Sequence, residues 1–198
     1  MHIERAIILR VVKYAESSLI IHCLARSGSR LNLMAKGALK SRRRFGGGAL
    51  EAFNYVQLTY KESKRLQDGE GPLHWLEEAQ ILCDFCQLRR NYDRLELGFY
   101  FLQVVSRVSR ENAQDNKGIF DLLGNSLKAL ETTTEPGVLK ILFELKFLYQ
   151  QGVLSQQVLG YPLLSFPIQE HHKITLNATD MMVIQREVHQ RLEAYLYV

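Results

Sequence analysis

Residues 3–35 read IERAIILRVVKYAESSLIIHCLARSGSRLNLMA. The opening run, Ile3 to Val12, is rich in β-branched residues, which suit a pleated, half-buried strand. Tyr14-Ala-Glu-Ser-Ser18 is a polar break, and Leu19 to Leu24 is a second apolar run. Arg26-Ser-Gly-Ser-Arg30 then supplies a turn in which Gly28 can take a positive φ. Two apolar runs flanking short turn segments read as a hairpin, and Leu31 to Ala35 reads as a third strand. Working outward, residues 36–48 hold little apolar periodicity and three consecutive glycines, which predicts a loop. Phe53 to Lys61 alternates, with Val56, Leu58 and Tyr60 on one side and Phe53, Tyr55 and Thr59 on the other. A polar stretch from Lys61 to Gly71 follows, and Leu73 to Ala79 is the predicted fifth strand. Five short strands in about 80 residues fit a small closed barrel better than a sandwich, and the oligonucleotide-binding (OB) barrel has that strand count.

From about Ile81 the period changes. Leu95, Leu97, Tyr100, Phe101, Leu102, Val104, Val105 and Val108 fall at helical spacing over 94–108. A second amphipathic helix is predicted over Gly118–Leu130, with Asp115 as its cap. A third, Gly137–Gln151, is apolar nearly all round, with Pro136 suited to its first turn and Gly152 to its end. Residues 160–175 read as irregular chain, and a last helix pair is predicted from Asn177 or Thr179 to about Tyr195. The expected class is α+β, with an OB barrel over 1–80 and an all-helical domain over 81–198. The boundary is expected between about 78 and 84.

Composition bounds the rest. The 198 residues are 46% hydrophobic and 23% charged, which excludes disorder of the whole chain. Apolar runs such as Ala6–Leu9 come nowhere near the roughly 18 residues of a membrane span. The start, Met-His-Ile-Glu-Arg, lacks an apolar signal core, and three cysteines do not suggest a disulfide framework. The expectation is a reduced, cytoplasmic, nucleoid-associated protein without a membrane partner.

The net charge of +4 is unevenly spread: residues 1–80 hold 13 Lys and Arg against 8 Asp and Glu, and residues 81–198 hold 12 against 13. Such asymmetry points one half toward a polyanion. The excess concentrates in Lys36-Gly-Ala-Leu-Lys40-Ser-Arg42-Arg43-Arg44-Phe45, where five cations fall within nine residues and no acid interrupts them. Like charges at this density repel and cost stability without a partner, which favours nucleic acid. Phe45 is placed either to stack on an unpaired base or to tuck back into the barrel. Arg30, Lys36, Lys40, Arg42, Arg43, Arg44 and Phe45 are the candidate contacts, with Arg89, Arg90 and Arg94 extending the path or merely solvating a helix.

At these residues the sequence resembles the bacterial recombination mediator RecO family. The resemblance lies in Ala6-Ile-Ile-Leu9, Glu16-Ser-Ser-Leu19, Leu33-Met-Ala-Lys-Gly-Ala38 with the basic run behind it, Gly48-Ala-Leu-Glu-Ala-Phe53, and Glu78-Ala79. In the second half Phe143-Glu-Leu-Lys146, Leu148 and Gly152 look like the family's central helix. It is dense over 1–80 and 139–152. The resemblance implies an OB barrel and a helical domain, binding of single- and double-stranded DNA, annealing of complementary strands, and loading of RecA onto DNA coated by single-strand-binding protein (SSB). RecR and the acidic C-terminal tail of SSB are the implied partners. A Phe-ended acidic tail needs a cation beside an apolar pocket. Lys140, Phe143 and Phe147 share a helix face and are the candidate for it, against a reading of the phenylalanines as core.

One departure stands out. Many relatives carry a four-cysteine zinc site after the central helix, whereas Val153-Leu-Ser-Gln-Gln-Val-Leu-Gly160 has no cysteine, and the chain is shorter than the family leads one to expect. No metal and no cofactor are expected. Cys83-Asp-Phe-Cys86 lacks a second ligand pair at metal spacing and reads as two half-buried residues on the first helix; His171 and His172 read as exposed. No phosphate loop, nucleophile elbow or Asp-x-Asp cluster occurs, so a non-enzyme is expected. Two other classes remain open at this point: an RNA-binding barrel of ribosome or tRNA biology, and a protein–protein adaptor.

Overall fold

Three antiparallel strands open the chain: β1 (His2–Tyr14), β2 (Ser18–Ala25) and β3 (Arg30–Ala35). The computed structural model describes residues 1–63, 66, 67, 71–109 and 117–197. β4 (Tyr55–Lys61) returns to pair with the first half of β1, from His2↔Tyr60 to Ile7↔Tyr55. β5 (Leu66–Gln67) is a two-residue pairing with the start of β6 (Gly71–Cys83). The sheet order is β3-β2-β1-β4-β6-β5, and β3 also pairs parallel to β6 through Asn32↔Leu73, Leu33↔His74 and Met34↔Trp75. That last pairing closes five strands into a barrel in which β1 and β6, each of 13 residues, are the longest. Register shifts at Ile8/Arg10 in β1, and at two places between β4 and β6, let the strands coil around so small a barrel.

The barrel is filled by alternate residues: Ala6 and Ile8, Ile21 and Cys23, Leu31, Leu33 and Ala35, Val56 and Leu58, Leu76 and Ala79. Burial pushes the Cys23 thiol far above its ordinary range, so it behaves as a small apolar filler. Ile7, Leu9, Ile20 and Leu24 are buried as well, so Ala6–Leu9 is covered on both faces. This is why that run shows no alternation while β4 does.

The chain forms two compact units, Met1–Phe85 with Ser109–Phe120, and Cys86–Val108 with Asp121–Val198. The second is built on α4 (Pro136–Gln150), whose Leu139, Leu142, Phe143, Leu145, Phe147 and Leu148 are fully buried. Phe143 stacks on Phe101 of α2 (Tyr92–Val108) at 4.1 Å between ring centroids. α4 begins with Pro136 and ends at Gly152, where φ is 69° and the Gly152 and Val153 amides bond back to the Tyr149 and Leu148 carbonyls. That pair of bonds closes the helix as glycine-ended helices do. At Gly160 a Cβ would lie 2.9 Å from a methyl of Ile184 and 3.0 Å from one of Leu145, so a larger residue would have to push these side chains aside.

Several expectations need correction. The segment after β3 is not a loop: Ala38–Lys40 is a 3-10 turn and α1 (Arg42–Phe45) is one helical turn. The fifth long strand runs from Gly71 through Cys83, so Cys83 ends a strand and Cys86 opens the 3-10 turn Cys86–Arg90, not a first helix. α3 (Lys117–Leu130) is present, but the Asp115 cap falls outside the described residues. The last pair of helices is a single helix, α5 (Ala178–Leu196), started by the Asn177 side chain accepting the Asp180 amide at 2.7 Å. His171 is buried, not exposed: Thr133 Oγ1 donates to its Nε2 at 2.6 Å while its Nδ1 donates to the Ile168 carbonyl. Its burial lowers its pKa and favours that neutral form. No described helix is long and apolar enough to cross a membrane.

Candidate nucleic-acid interface

The cationic segment is held rigidly. Gly37, at φ 66°, turns the chain after β3, and its amide donates to Ser18 Oγ at 3.1 Å. The Leu39 amide donates to the Ser17 carbonyl at 3.0 Å, so the β1–β2 turn grips the 3-10 turn at two points. The Arg44 guanidinium closes the far side, donating to the Lys36 carbonyl at 2.8 Å and to Ser41 Oγ at 3.1 Å. It also lies 4.9 Å from the centre of the Phe45 ring. Below this frame Ala38, Phe45, Ala49 and Leu50 join the barrel core.

Phe45 is therefore not a stacking residue for a base: it is 7% exposed and anchors the segment. Burying a phenyl ring outweighs leaving it in water by about 1.5–3 kcal/mol, and this drives the turn into a helix. Arg44 is likewise half-buried and committed to the chain's own carbonyl. Lys36, Lys40, Arg42 and Arg43 remain exposed, and none has an ion pair among the described residues. The segment presents four cations on a fixed backbone, with a fifth cation as its fastening.

The other named candidates divide. Arg30 is half-buried, and its Nε donates to the buried Asn32 Oδ1 at 3.3 Å, which itself accepts from His22 Nδ1 at 2.7 Å. Arg89 and Arg90 are exposed on the 3-10 turn of the helical unit. Arg94 is spent internally, its guanidinium donating to the Glu131 and Thr133 carbonyls at the end of α3. It does not extend a binding path.

The Lys140–Phe143–Phe147 face is not a pocket. Both phenylalanines are fully buried. Lys140 lies 3.8 Å from the Glu144 carboxylate and 4.6 Å from the centre of the Tyr100 ring. Glu144 is itself fully buried and accepts from the Tyr100 hydroxyl, while its second oxygen has no hydrogen-bond partner among the described residues. Burial holds its carboxyl above the ordinary carboxylate range, against the opposing pull of Tyr100, Lys140 and His189. Helical spacing put these residues on one face correctly, but that face of α4 is buried at both phenylalanines.

Sequence reading missed the grip of Ser17 and Ser18. Nothing local marks them, because their partners lie some twenty residues away and are found only when the strands pair. Among the described residues no three His, Cys, Asp or Glu side chains converge as metal ligands.

Comparison with known proteins covers both units. Residues 1–71 match the family described as Recombination protein O N terminal, and residues 89–155 match Recombination protein O C terminal. A DNA repair protein RecO of Syntrophus aciditrophicus is 30% identical over 151 residues, 76% of this chain and 56% of that protein. One of Desulfatibacillum aliphaticivorans is 32% identical over 150 residues, 75% of this chain and 55% of that protein. The chain thus spans little more than half the length of these relatives. Matched in order to the two parts of a single family, with a barrel in the first part and helices in the second, the chain belongs to the RecO family.

Proposed function

We propose that the chain acts in DNA repair and recombination as a non-enzymatic mediator that binds DNA through its barrel. The observation that carries this reading is the pinned segment with Lys36, Lys40, Arg42 and Arg43 exposed and without an ion pair among the described residues. A flexible lysine-rich loop is well solvated alone. Here the backbone is pinned by Ser17, Ser18 and Arg44, so the cations are held close together at a cost in mutual repulsion that phosphates would relieve. The names of the relatives, DNA repair protein RecO, point to the same polyanion. Neutralising phosphates on this surface also lowers the repulsion between two strands, which is the physical basis for strand annealing without a catalytic residue. Arg89 and Arg90 are proposed as a second cationic contact on the helical unit.

Help in loading RecA onto SSB-coated DNA, and partnership with RecR and the SSB tail, are proposed on family grounds. A cation beside an apolar recess, as an acidic aromatic-ended tail requires, occurs on the helical unit at a cleft of about 510 Å³. Lys146, Tyr149, Tyr161, Pro162 and Leu164 line it; the Lys146 ammonium donates to the Leu164 carbonyl at 2.9 Å and keeps two further donors for a carboxylate. This cleft replaces the buried Lys140 face as the candidate.

The test is fluorescence anisotropy of a labelled oligonucleotide over a salt series, with matched RNA as competitor. Wild type should bind DNA with a steep salt dependence. Lys40→Ala/Arg42→Ala/Arg43→Ala should reduce the slope of log K against log salt by about two, at roughly 0.7 per phosphate contact on a single strand. Its melting temperature should match or slightly exceed that of wild type, because the mutual repulsion of the cations is relieved. An unchanged slope would remove the segment from the interface, and preference for RNA would move the protein to another class.

A further inference from the structure

With Phe45 in the core, the cationic segment has no aromatic group of its own to meet a base. The fold supplies one from elsewhere. The β1–β2 turn that grips the segment begins at Tyr14, which pairs in register with Ser18, and Ser18 Oγ accepts the Gly37 amide at 3.1 Å. Lys13 pairs with Leu19, and Leu19 with Ala35, the residue before Lys36. The β1–β2 turn and the cationic segment therefore form one edge of the barrel. Two large apolar side chains stand out on it: Tyr14 is 49% exposed and Leu39 is 56% exposed. Leu39 is not a loose loop residue, because its own amide is tied to Ser17 and its neighbour Ala38 is buried. Ala15, at φ 52°, fixes the turn just after Tyr14.

We propose that Tyr14 and Leu39 are the base-contacting part of this edge, so that it selects unpaired bases over intact duplex. The proposal rests on the DNA-binding reading above and adds strand selectivity to it. Phosphates bind to Lys36, Lys40, Arg42 and Arg43 without regard to pairing, since duplex and single strand both carry them. A phenol ring and an isobutyl group gain little from a duplex backbone. Against an unpaired base the ring stacks, and a leucine can occupy the space of a lost stacking partner. Lys13 and Glu16, both exposed beside Tyr14, leave the turn without net charge, so phosphates are drawn to the cationic segment and the turn is left to meet the base.

The experiment compares the full chain with Tyr14→Ala, Tyr14→Phe and Leu39→Ala variants. Binding is measured to a single-stranded oligonucleotide, the same strand made abasic at its centre, and the duplex of equal length. All three variants are at exposed positions, and melting curves confirm that each is folded. Tyr14→Ala should weaken single-strand binding by about tenfold, from the known worth of base–aromatic stacking, and duplex binding by less than twofold. Tyr14→Phe should keep wild-type affinity, Leu39→Ala should lose about threefold on the single strand only, and the salt slope should not move in any variant. Wild-type affinity for single strands in Tyr14→Ala, or an equal loss on duplex, overturns the proposal while salt-steep binding by the wild type leaves the DNA reading standing. Absence of wild-type binding to any DNA at low salt overturns both.

Discussion

The cationic segment of the barrel and helix α4 of the helical unit carry charge in opposite ways. In the segment the cations face solvent and only the fastening, Arg44, turns inward. In α4 the charged groups are internal: Glu144 is buried under Tyr100, and Lys140 packs on that ring. Both stretches put phenylalanine beside a cation in the sequence, at Arg44-Phe45 and at Lys146-Phe147. In both, the ring is buried and the half-buried cation beside it donates to a carbonyl of its own chain, Arg44 to Lys36 and Lys146 to Leu164. The lesson is that in this chain an aromatic next to a cation marks an anchored backbone, because burying the ring is worth about 1.5–3 kcal/mol and needs no ligand.

This contrast can be broken most sharply at the rings. Phe143→Ala should cost about 3–5 kcal/mol of unfolding free energy in a denaturant titration, and Phe45→Ala a similar amount within the barrel. Were Phe45→Ala to leave stability unchanged and weaken DNA binding alone, the anchor role assigned here would fall. A smaller effect separates fastening from contact. Arg44→Ala should lower stability by about 1 kcal/mol through the lost bonds to Lys36 and Ser41, whereas the Lys40/Arg42/Arg43 triple variant should stay within about 0.5 kcal/mol of wild type. Equal thermal shifts in the two variants would erase the distinction.

The smallest effect is a pH dependence at Glu144. Its folded-state pKa is raised, so the native protein holds this proton more tightly than the unfolded chain. Stability from this group is present at pH below the ordinary carboxylate value of 4.5 and is lost as pH rises from there through the raised folded value. Glu144→Gln keeps an acceptor for the Tyr100 hydroxyl but has no proton to lose. Its stability should decline less than that of wild type over the same rise in pH, measured as unfolding midpoints at fixed denaturant. Parallel curves would show that Glu144 does not titrate differently on folding.

Strand periodicity and helix periodicity were legible in the residues themselves. β4 alternates because one of its faces is wet, and α4 reads as central because nearly every position is apolar. The exceptions have physical causes. The two-sided burial of β1 hides its alternation, and the helical turn at Arg42–Phe45 has too few apolar residues to show a period. His171 looks like a surface residue because its partner, Thr133, is 38 positions away.

The sequence alone determined that one half is basic and strand-rich, that the other is helical, and that positive charge concentrates between residues 36 and 44. Those are properties of composition and local spacing. Only the tertiary structure decided which charges are available. Whether a cation meets solvent or the chain's own carbonyl depends on segments brought together by strand pairing, as at Arg44, and by the packing of the chain after α4 against that helix, as at Lys146. Tyr14 and Leu39 share an edge for the same reason: the pairing of β1 with β2 and the bonds that Ser17 and Ser18 accept from the segment after β3, not their distance along the chain, place them there.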